Sequence, residues 1–515
     1  MRCIGAVFLT VVWMLASGGE GGRILAVFPF PSRSHAIVLE ALAAALAARG
    51  HELVVVSSFP DAAKHNYTDV DLMPDFAGSI FTQHSFSRFE MNAFQQAVTV
   101  WNKGLGMTET VAGSEAFHRV LQDERGFDLV IVEQFLNEGL YGLAHHFKAP
   151  LVLLCSFGGF HWHNYALANP TPLSYYPNPL LEYTHKMTFT ERMTNVVMTT
   201  LWDLGHFYYY LPRHDTISKT LFGPETPHVL ELESRAAVVL VNQHFSLNYP
   251  RPLLPNVVEV GGMHVSRSEV RPLPDELRLF LDGAEHGVVY FSMGSNLRSE
   301  QMGEARVKAF VDAFAQLKQR VLWKWEADSL PATLTHPPNL KLAKWLPQQQ
   351  ILAHPKVDVF ITHGGLLSAQ EAALHGVVLV GIPIFGDQTL NMKKAQHGGF
   401  GILLDFNNVT KESVLWALNE ALYNPRLKEA SRARTAQYRD QPESPLERAV
   451  FWVEYALRHK TSDHLRSAGA DLNWLQLGLW DVYAVLLAPP VFLSWLFSKI
   501  CCSKSKKKPS TKKTQ

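Results

Sequence analysis

Between positions 345 and 388 the sequence concentrates side chains that can bind a phosphorylated sugar. Trp345 and Gln348 are followed by a Thr-His-Gly-Gly segment at 362–365, then by Glu371 and the pair Asp387-Gln388. An indole offers a flat face for a nucleobase, and amides and carboxylates bind hydroxyl groups. Two glycines let a backbone approach a phosphate closely. The spacing of these groups indicates a nucleotide-sugar site.

The glycines Gly364 and Gly365 precede a helix-period stretch. A helix that begins there would direct unpaired backbone N–H groups and its positive dipole end at a diphosphate, so that no metal ion is required. His363 could donate to a phosphate oxygen, and the Ser368 hydroxyl could add another donor. In the alternative interpretation, Ser368 and Glu371 form a capping box that only starts the helix.

The other candidates also have a structural alternative. Trp345 could stack on uracil while the Gln348 amide reads its edge; the alternative is a core tryptophan beside a surface glutamine. Glu371 could accept both ribose hydroxyls, or be a solvated helix charge. Asp387 and Gln388 could hold sugar hydroxyls, or begin the next helix as an N-cap. Each signal alone is weak, and the joint spacing carries the prediction.

Short β-branched runs alternate with helix-period stretches in this half of the chain, which predicts an α/β fold with a parallel sheet covered on both faces. The predicted strands are 288–291, 321–325, 357–361, 377–381 and 401–404. Ligands of such sheets bind beyond the carboxyl ends of the strands. We therefore add Ser292, Gly294 and Ser295, which follow the first of these strands, to the candidate site.

These motifs resemble the signature of the UDP-glycosyltransferase family, which includes membrane-bound UDP-glucuronosyltransferases. The resemblance is strongest from 345 to 388 and covers nearly the whole chain more loosely. It implies two facing Rossmann-like domains of the GT-B type. It also implies that Trp345 and Gln348 hold the uridine, His363 and its neighbours the diphosphate, Glu371 the ribose, and the pair at 387–388 the transferred sugar.

One position departs from the family pattern. The Asn that vertebrate and plant members have two residues after the second glycine is Leu367 here, and Ser368 matches the plant serine. We expect Ser368 to cover part of the Asn role. The Leu-Leu-Ser sequence at 366–368 resembles the insect branch of the family.

His35 is the candidate general base. It lies at the start of the first predicted helix, whose positive end disfavours imidazolium and keeps the ring neutral. The resemblance implies that this histidine deprotonates the acceptor; an ordinary exposed loop histidine is the alternative. Such a base needs a carboxylate. Glu133 occupies the family's Asp position but is one methylene longer, so either the ring sits farther away or another acid, such as Glu138, takes the role.

The first half repeats the α/β pattern, with strands predicted at 24–28, 52–57, 129–132, 151–155 and 237–241 and a helix at 36–49. Prolines near 250 mark a junction. We predict a signal peptide at 1–19, an acceptor-binding N-terminal domain at 20–245, a UDP-sugar-binding domain at 246–440, helices that cross back to the first domain at 441–475, a transmembrane helix at 476–498 and a Lys-rich cytosolic tail at 499–515.

Both ends of the chain indicate the secretory route. The N-terminus has the charge, apolar run and small residues of a signal peptide, and the apolar stretch 482–497 precedes lysines, which by the positive-inside rule places the tail in the cytosol. We predict a single-pass type I protein of the endoplasmic reticulum membrane with luminal catalytic domains; the final lysines resemble a dilysine retrieval signal. Asn66 and Asn408 are glycosylation sequons. Cys501 and Cys502 are candidate palmitoylation sites or idle thiols.

The aromatic-rich stretches 157–176 and 202–210 fit a lipophilic acceptor pocket, membrane-facing helices or core packing. With 515 residues, a formal net charge of +0 and no basic face with interleaved aromatics, the chain shows no sign of nucleic-acid binding. We predict inverting transfer of a hexose, glucose by preference, from a UDP-sugar to a hydroxyl of a small lipophilic acceptor, without a metal ion or other cofactor.

Several questions stay open at this stage. UDP-glucuronic acid is the alternative donor, and lipid-linked or protein glycans are alternative acceptors. A non-catalytic nucleotide-sugar-binding protein is the alternative class. The sequence leaves the acceptor and the oligomeric state, a homo-oligomer included, undecided.

Overall fold

The computed structural model describes residues 21–60, 65–77, 86–265, 272–461 and 463–504. These form a body that ends at Arg466 and a separate C-terminal segment that begins at Ser467. The predicted signal peptide, the lysines beyond 504 and the side chains of Cys501 and Cys502 lie outside the described residues.

The first sheet, within the described residues, consists of seven parallel strands in the order β3-β2-β1-β4-β5-β6-β7. The strands are β1 (Arg23–Phe28), β2 (Glu52–Ser57), β3 (Tyr67–Asp71), β4 (Leu129–Glu133), β5 (Leu151–Cys155), β6 (Val238–Val241) and β7 (Val257–Glu259). Sequence analysis missed β3 and β7. Because β7 pairs with β6, the first sheet extends past the predicted domain boundary at 245.

The α-helices of this half are α1 (Arg33–Ala48), α2 (Ala93–Ala112), α3 (Glu115–Leu121), α4 (Gly142–Phe147), α5 (His161–Leu167), α6 (Phe189–Gly205), α7 (Leu211–Phe222) and α8 (Val229–Ser234). A π-helical turn, His206–Tyr210, joins α6 to α7. The first helix begins three residues earlier than predicted, so that His35 lies in its first turn.

The second sheet has six parallel strands among the described residues, in the order β10-β9-β8-β11-β12-β13. They are β8 (Val288–Ser292), β9 (Arg320–Lys324), β10 (Leu340–Ala343), β11 (Val357–Thr362), β12 (Val378–Gly381) and β13 (Gly401–Leu403). The five predicted strands are present within a residue of their predicted ends, and β10 at the sheet edge was missed. The predicted α/β fold with two parallel sheets is confirmed.

The helices of this half are α9 (Asp275–Asp282), α10 (Glu304–Phe314), α11 (Gln348–Leu352), α12 (Leu366–His375), α13 (Gln388–His397), α14 (Lys411–Tyr423), α15 (Pro425–Arg439) and α16 (Pro445–His459). Helices α11 and α13 begin at the motif residues Gln348 and Gln388, and α12 begins directly after Gly365. Their N-termini therefore face the carboxyl edge of the second sheet.

Both faces of the first sheet are covered, which explains its continuous apolar strands. On β1, Leu25 and Val27 point into one buried cluster, whereas Ile24 and Ala26 point into another. The second cluster also contains the inner face of α16, for example Val453. Helix α16 follows the second sheet in the chain, yet it packs on the first.

The C-terminal segment contains α17 (Trp474–Leu477) and α18 (Trp480–Lys504). Leu479, with φ of 54°, separates them, so the long helix starts at Trp480 and not at the predicted 476. It continues through Pro489 and Pro490. By length and composition, Trp480–Ile500 is a helix able to cross a membrane.

Candidate active site

His35 and Glu133 form a buried pair at the carboxyl edge of the first sheet. His35 lies in the first turn of α1, and Glu133 is the last residue of β4. The His35 Nδ1 atom is hydrogen-bonded to Glu133 Oε1, and the same oxygen accepts a hydrogen bond from Ser156 Oγ at 2.7 Å. His35 is 5% exposed, so the alternative of an exposed loop histidine is wrong.

Glu138, the alternative acid, points elsewhere. Its Oε2 atom lies 3.8 Å from His214 Nε2 in the interior of the first domain. Burial raises the pKa of Glu138 to about 7. Among the described residues, the carboxylate in contact with His35 is therefore that of Glu133, in spite of its extra methylene.

Three phenylalanine rings surround the His35 imidazole. Their centroids lie 4.6 Å (Phe30), 4.9 Å (Phe135) and 5.1 Å (Phe157) from that of the His35 ring. An apolar wall excludes water and strengthens the interaction between the imidazole and the carboxylate. It also offers an apolar surface to a ligand that approaches the ring.

On the second sheet, α12 begins directly after the Thr-His-Gly-Gly segment. Gly365 occupies its N-cap position and no side chain caps the helix, so the first backbone N–H groups are free to bind an anion. Ser368 lies one turn inside, where its Oγ atom accepts a hydrogen bond from Gln348 Nε2 at 3.1 Å. The capping-box alternative for Ser368 is therefore wrong.

His363 is enclosed by two glycines. A Cβ atom on Gly294 would lie 2.5 Å from His363 Cε1, and one on Gly365 would lie 2.6 Å from its Nε2. Burial lowers the pKa of His363 to about 4, with a further lowering by the charge of Lys324. The imidazole is thus neutral at physiological pH, and it fits only because both neighbours lack a side chain.

The loop after β8 supplies the next predicted residues. Ser292 is buried, and its Oγ atom accepts a hydrogen bond from the backbone N–H of Gly294 at 3.2 Å. Gly294 has φ of 78°, a region that favours glycine. Ser295 is exposed.

Lys324 was missed by sequence analysis. It ends β9, is 8% exposed, and its Nζ atom donates to the Gly294 carbonyl at 3.1 Å and to Glu326 Oε1 at 2.7 Å. The ammonium group also lies 5.8 Å from the centre of the Trp345 ring. One feature of the sequence could have identified Lys324: it is a cation at the carboxyl end of a predicted strand, and the neighbouring strands are followed by the predicted motifs.

Trp345 is 65% exposed, which rules out a core tryptophan and leaves its ring available for stacking. Gln348 is held by a network in which it donates to Glu371 Oε2 at 2.7 Å and accepts from Tyr290 Oη at 3.3 Å.

Glu371 is 5% exposed and its Oε1 atom lies 3.3 Å from His264 Nε2. It is thus not a solvated helix charge. His264 was not predicted, because nothing in its local sequence connects it to Glu371.

Asp387 and Gln388 begin α13. Asp387 accepts a hydrogen bond from Asn391 Nδ2 at 2.9 Å and does not cap the helix with its side chain. The Gln388 Oε1 atom accepts from the backbone N–H groups of Ile384 at 2.8 Å and Phe385 at 3.2 Å, which fixes the loop. Asp387 occupies the N-cap position that the alternative predicted, but its carboxylate binds Asn391 and does not cap the helix.

Sequence analysis did not assign Lys394 to the site. Asp387, Asn391 and Lys394 line one cavity between the two sheets. Burial lowers the pKa of Lys394 to about 8, and the charge of Asp387 opposes that lowering. Lys394 donates to Asn248 Oδ1 at 2.5 Å. The cavity therefore contains one acid and one base.

Comparison with known proteins shows the family and the fold. Residues 23–515 match the family described as UDP-glucoronosyl and UDP-glucosyl transferase. This chain belongs to that family. Two relatives from Dactylopius coccus, UDP-glycosyltransferase UGT5 and UDP-glucosyltransferase 2, are 36% and 34% identical to it. The alignments cover 90% and 96% of this chain and 89% and 95% of those proteins.

Vertebrate relatives match over a similar length. UDP-glucuronosyltransferase 2A3 of Mus musculus is 32% identical over 99% of this chain and 98% of its own. Among solved structures, the calicheamicin glycosyltransferase CalG4 superimposes with a TM-score of 0.55 at 19% identity, over 86% of this chain and 99% of its own. SnogD of Streptomyces nogalater gives 0.54 at 17% identity, over 85% and 100%. The family assignment, the GT-B fold and a UDP-glycosyltransferase activity are thus confirmed.

Leu367, where this UDP-glycosyltransferase departs from the vertebrate and plant pattern, packs at the edge of an apolar cluster of the first domain. Leu446, the second residue of α16, packs against the same cluster. An apolar residue is suited to that contact. The neighbouring polar position is Ser368, which is 6% exposed.

The aromatic-rich stretches divide between two environments. Trp162 and Trp202 are buried and stack at 4.3 Å, and Tyr210 is fully buried, so these rings pack in the core of the first domain. Tyr208 is 81% exposed, and on α6 Leu201 is 47% exposed. The core-packing interpretation therefore applies to the inner rings only.

Both sequons lie on the surface of the transferase body. Asn66 precedes β3 with φ of 58°, and Asn408 ends a 3-10 turn; both side chains are exposed. Over the ranges that the structure describes, no group of three or more His, Cys, Asp or Glu residues is placed to hold a metal ion.

Proposed function

We propose that this enzyme transfers glucose from UDP-glucose to a hydroxyl of a small lipophilic acceptor, with inversion at the anomeric carbon and His35 as general base. The observation that carries the proposal is the His35–Glu133 pair. It is buried among Phe30, Phe135 and Phe157 at the edge of the first sheet. An imidazole oriented by a carboxylate is the usual geometry of a general base.

The proposed proton transfer uses the free ring nitrogen. Glu133 accepts the Nδ1 proton of His35, so that Nε2 is unprotonated and receives the proton of the acceptor hydroxyl. The resulting oxygen attacks C1 of the sugar from the side opposite UDP; the bond from C1 to the UDP oxygen breaks, and the product is a β-glycoside. Glu133 stabilises the imidazolium that forms.

The diphosphate would be held without a metal ion. The uncapped N-terminus of α12, neutral His363 and the Thr362 and Ser368 hydroxyls are donors on one side, and Lys324 adds a positive charge close to Gly294. Charge that develops on the departing diphosphate is stabilised by such fixed donors. Trp345 and Gln348 would hold uracil, and Glu371 the ribose.

The proposed sugar site is the cavity beside Asp387 and Gln388. The Asp387 carboxylate can accept hydrogen bonds from the hydroxyls of glucose, whereas it repels the carboxylate of glucuronic acid. A relative at 34% identity carries the name UDP-glucosyltransferase 2. Both facts favour UDP-glucose.

A second donor is supported by one observation. Lys394 points into the same cavity as Asp387, and its ammonium group could face a uronate carboxylate. UDP-glucuronosyltransferases also appear among the relatives. UDP-glucuronic acid is therefore the second candidate, with Lys394 as the residue that would read it.

The remaining alternatives have less support. A non-catalytic nucleotide-sugar-binding protein would not need an acid next to His35, and the pair is formed. The ring environment of His35 is apolar, which suits a phenol or sterol better than a polar glycan. We further propose that Trp480–Ile500 anchors the enzyme in the endoplasmic reticulum membrane with the body in the lumen.

The test is a transfer assay with the full-length membrane protein. Microsomes that contain it are incubated with radiolabelled UDP-glucose or UDP-glucuronic acid and a panel of phenols, steroids and oligosaccharides, beside microsomes that contain His35→Ala. We expect label to move from UDP-glucose to phenols or steroids in the native protein only. Transfer to oligosaccharides alone, or equal transfer by His35→Ala, would overturn the proposal.

A further inference from the structure

A hydrogen bond crosses the cleft between the two sheets close to the proposed base. Ser32 Oγ donates to Asn296 Oδ1 at 2.9 Å, although the two residues are 264 positions apart. Ser32 follows β1 and Asn296 follows β8, which are interior strands of their sheets. The bond therefore connects the carboxyl edge of the acceptor domain to the carboxyl edge of the donor domain.

Ser32 stands at the N-cap position of α1, with φ of −131° and ψ of 127°. A serine in this position usually accepts a hydrogen bond from the first turn of its own helix, which stabilises that helix. Ser32 makes no such cap bond. Because its hydroxyl proton points to Asn296, the neighbouring Ser34 hydroxyl, 3.0 Å away, can only donate to it. Helix α1 therefore lacks a side-chain cap, and the Ser32 hydroxyl instead forms the hydrogen bond across the cleft.

The backbone of Ser32 is connected directly to His35. Its carbonyl oxygen accepts hydrogen bonds from the backbone N–H groups of His35 at 3.1 Å and Ala36 at 3.2 Å. A displacement of Ser32 therefore moves the first turn of α1. The imidazole must keep its place between Glu133 and the acceptor, so this turn sets the alignment of the base.

Asn296 belongs to the loop that packs on the proposed diphosphate site. Two residues earlier, Gly294 lies against the His363 ring and accepts a hydrogen bond from the Lys324 ammonium. A diphosphate bound there contacts groups that position this loop. Three residues thus connect the proposed diphosphate site to the base: Gly294, Asn296 and Ser32.

We propose that Ser32 and Asn296 form a latch that couples occupation of the diphosphate site to the alignment of His35. The latch rests on the proposed function of His35 and of the donor loop. Asn296 is a positioning residue, because it acts through Ser32 and touches neither reacting group. Donor binding holds the loop, the loop holds Asn296, and Asn296 holds the first turn of α1 in the arrangement that deprotonates the acceptor.

The kinetic test is a double-mutant cycle with Ser32→Ala, Asn296→Ala and the double variant in the full-length enzyme. Since a neutral hydrogen bond contributes modestly, we expect each single change to lower kcat by about 3- to 10-fold with UDP affinity within about twofold. The double variant should be no slower than the slower single variant. Ser299→Ala is the control, because its buried hydroxyl makes no hydrogen bond among the described residues. Additive losses, or a control as slow as Asn296→Ala, would overturn the latch.

A second measurement does not depend on turnover. Hydrogen exchange of the backbone amides at 33–40 is followed with and without UDP. We expect UDP to slow exchange there in the native enzyme and in Ser299→Ala, and to leave it unchanged in Asn296→Ala. UDP that slows exchange equally in all three proteins would refute the coupling. If UDP does not bind, or no UDP-sugar supports transfer by the native enzyme, the proposed function fails instead.

Discussion

The imidazole of His35 and the carboxylate of Glu133 are in hydrogen-bond contact although 98 residues separate them in the chain. The contact forms because β1 and β4 are neighbouring parallel strands. Glu133 is the last residue of β4, and His35 lies in the first turn of α1, the helix that follows β1. The resemblance to the family implies an aspartate at this position, and the glutamate of this chain, which is one methylene longer, makes the bond to His35.

The first prediction concerns the base. His35→Ala should lower kcat by on the order of 10²-fold or more, since the acceptor hydroxyl is then not deprotonated as it attacks. The affinity for UDP should stay within a few-fold, because His35 lies on the acceptor side. Steady-state kinetics and UDP titration measure the two quantities. A collapse of UDP affinity would show that His35 is structural.

The second prediction separates the two acids. Glu133→Gln should lower kcat in the same direction as His35→Ala but by less, since the amide cannot stabilise the imidazolium. Glu138→Gln should have little effect on kcat near neutral pH, because the buried acid has a pKa of about 7, contacts His214 and does not reach His35. Equal and large losses from both variants would contradict the assignment of Glu133.

The sequence identified Glu133 as a candidate acid for His35 but could not decide between Glu133 and Glu138. Both acids lie within a few residues of one strand end, and only the path of the backbone after β4 decides which one faces α1. The same limit applies to Lys324 and Lys394. Lys324 contacts Gly294 and Glu326, and Lys394 contacts Asn248, which lies 146 positions away in the chain. A local sequence pattern does not show which distant residues will surround a lysine.

The fold was predicted best where strands are buried on both faces. Central strands such as β8 and β11 are continuous apolar runs, and their limits were found within a residue. The missed strands are different. β3 (Tyr67–Asp71) carries polar residues and lies at a sheet edge, and β7 (Val257–Glu259) has three residues. Such strands form because a neighbouring strand offers hydrogen-bond partners, which a short local sequence cannot show.

The third prediction concerns metal ions. Because the uncapped N-terminus of α12 and the Lys324 ammonium face the proposed diphosphate site, EDTA should leave the transfer rate nearly unchanged. The assay compares dialysed enzyme with EDTA and with added Mg²⁺ or Mn²⁺. A strict requirement for either cation would mean that the fixed donors do not neutralise the diphosphate.

The fourth prediction follows from the neutral state of His363, whose pKa burial lowers to about 4. Two negative phosphate charges next to the ring would raise that pKa, so UDP-glucose should bind with uptake of part of a proton at about pH 5.5 and with none at about pH 8. Calorimetry in buffers of different ionisation enthalpy measures the uptake.

For this measurement, UDP-glucose is preferable to UDP because its diphosphate does not titrate in this range. His363→Asn should abolish the uptake, and His286→Asn, which changes an exposed histidine outside the site, should keep it. Uptake that persists in His363→Asn would assign the proton to another group.

The last prediction concerns the donor sugar, for which the cavity offers two opposite charges. If Asp387 dominates, UDP-glucose should have a kcat/KM at least about tenfold above that of UDP-glucuronic acid, about 1.4 kcal/mol in transition-state binding. Asp387→Ala should then lower transfer from UDP-glucose sharply while UDP still binds. Lys394→Met should leave the glucose reaction less affected than Asp387→Ala does. A native preference for UDP-glucuronic acid that Lys394→Met removes would reverse the assignment, since the ammonium group would then be reading the uronate carboxylate.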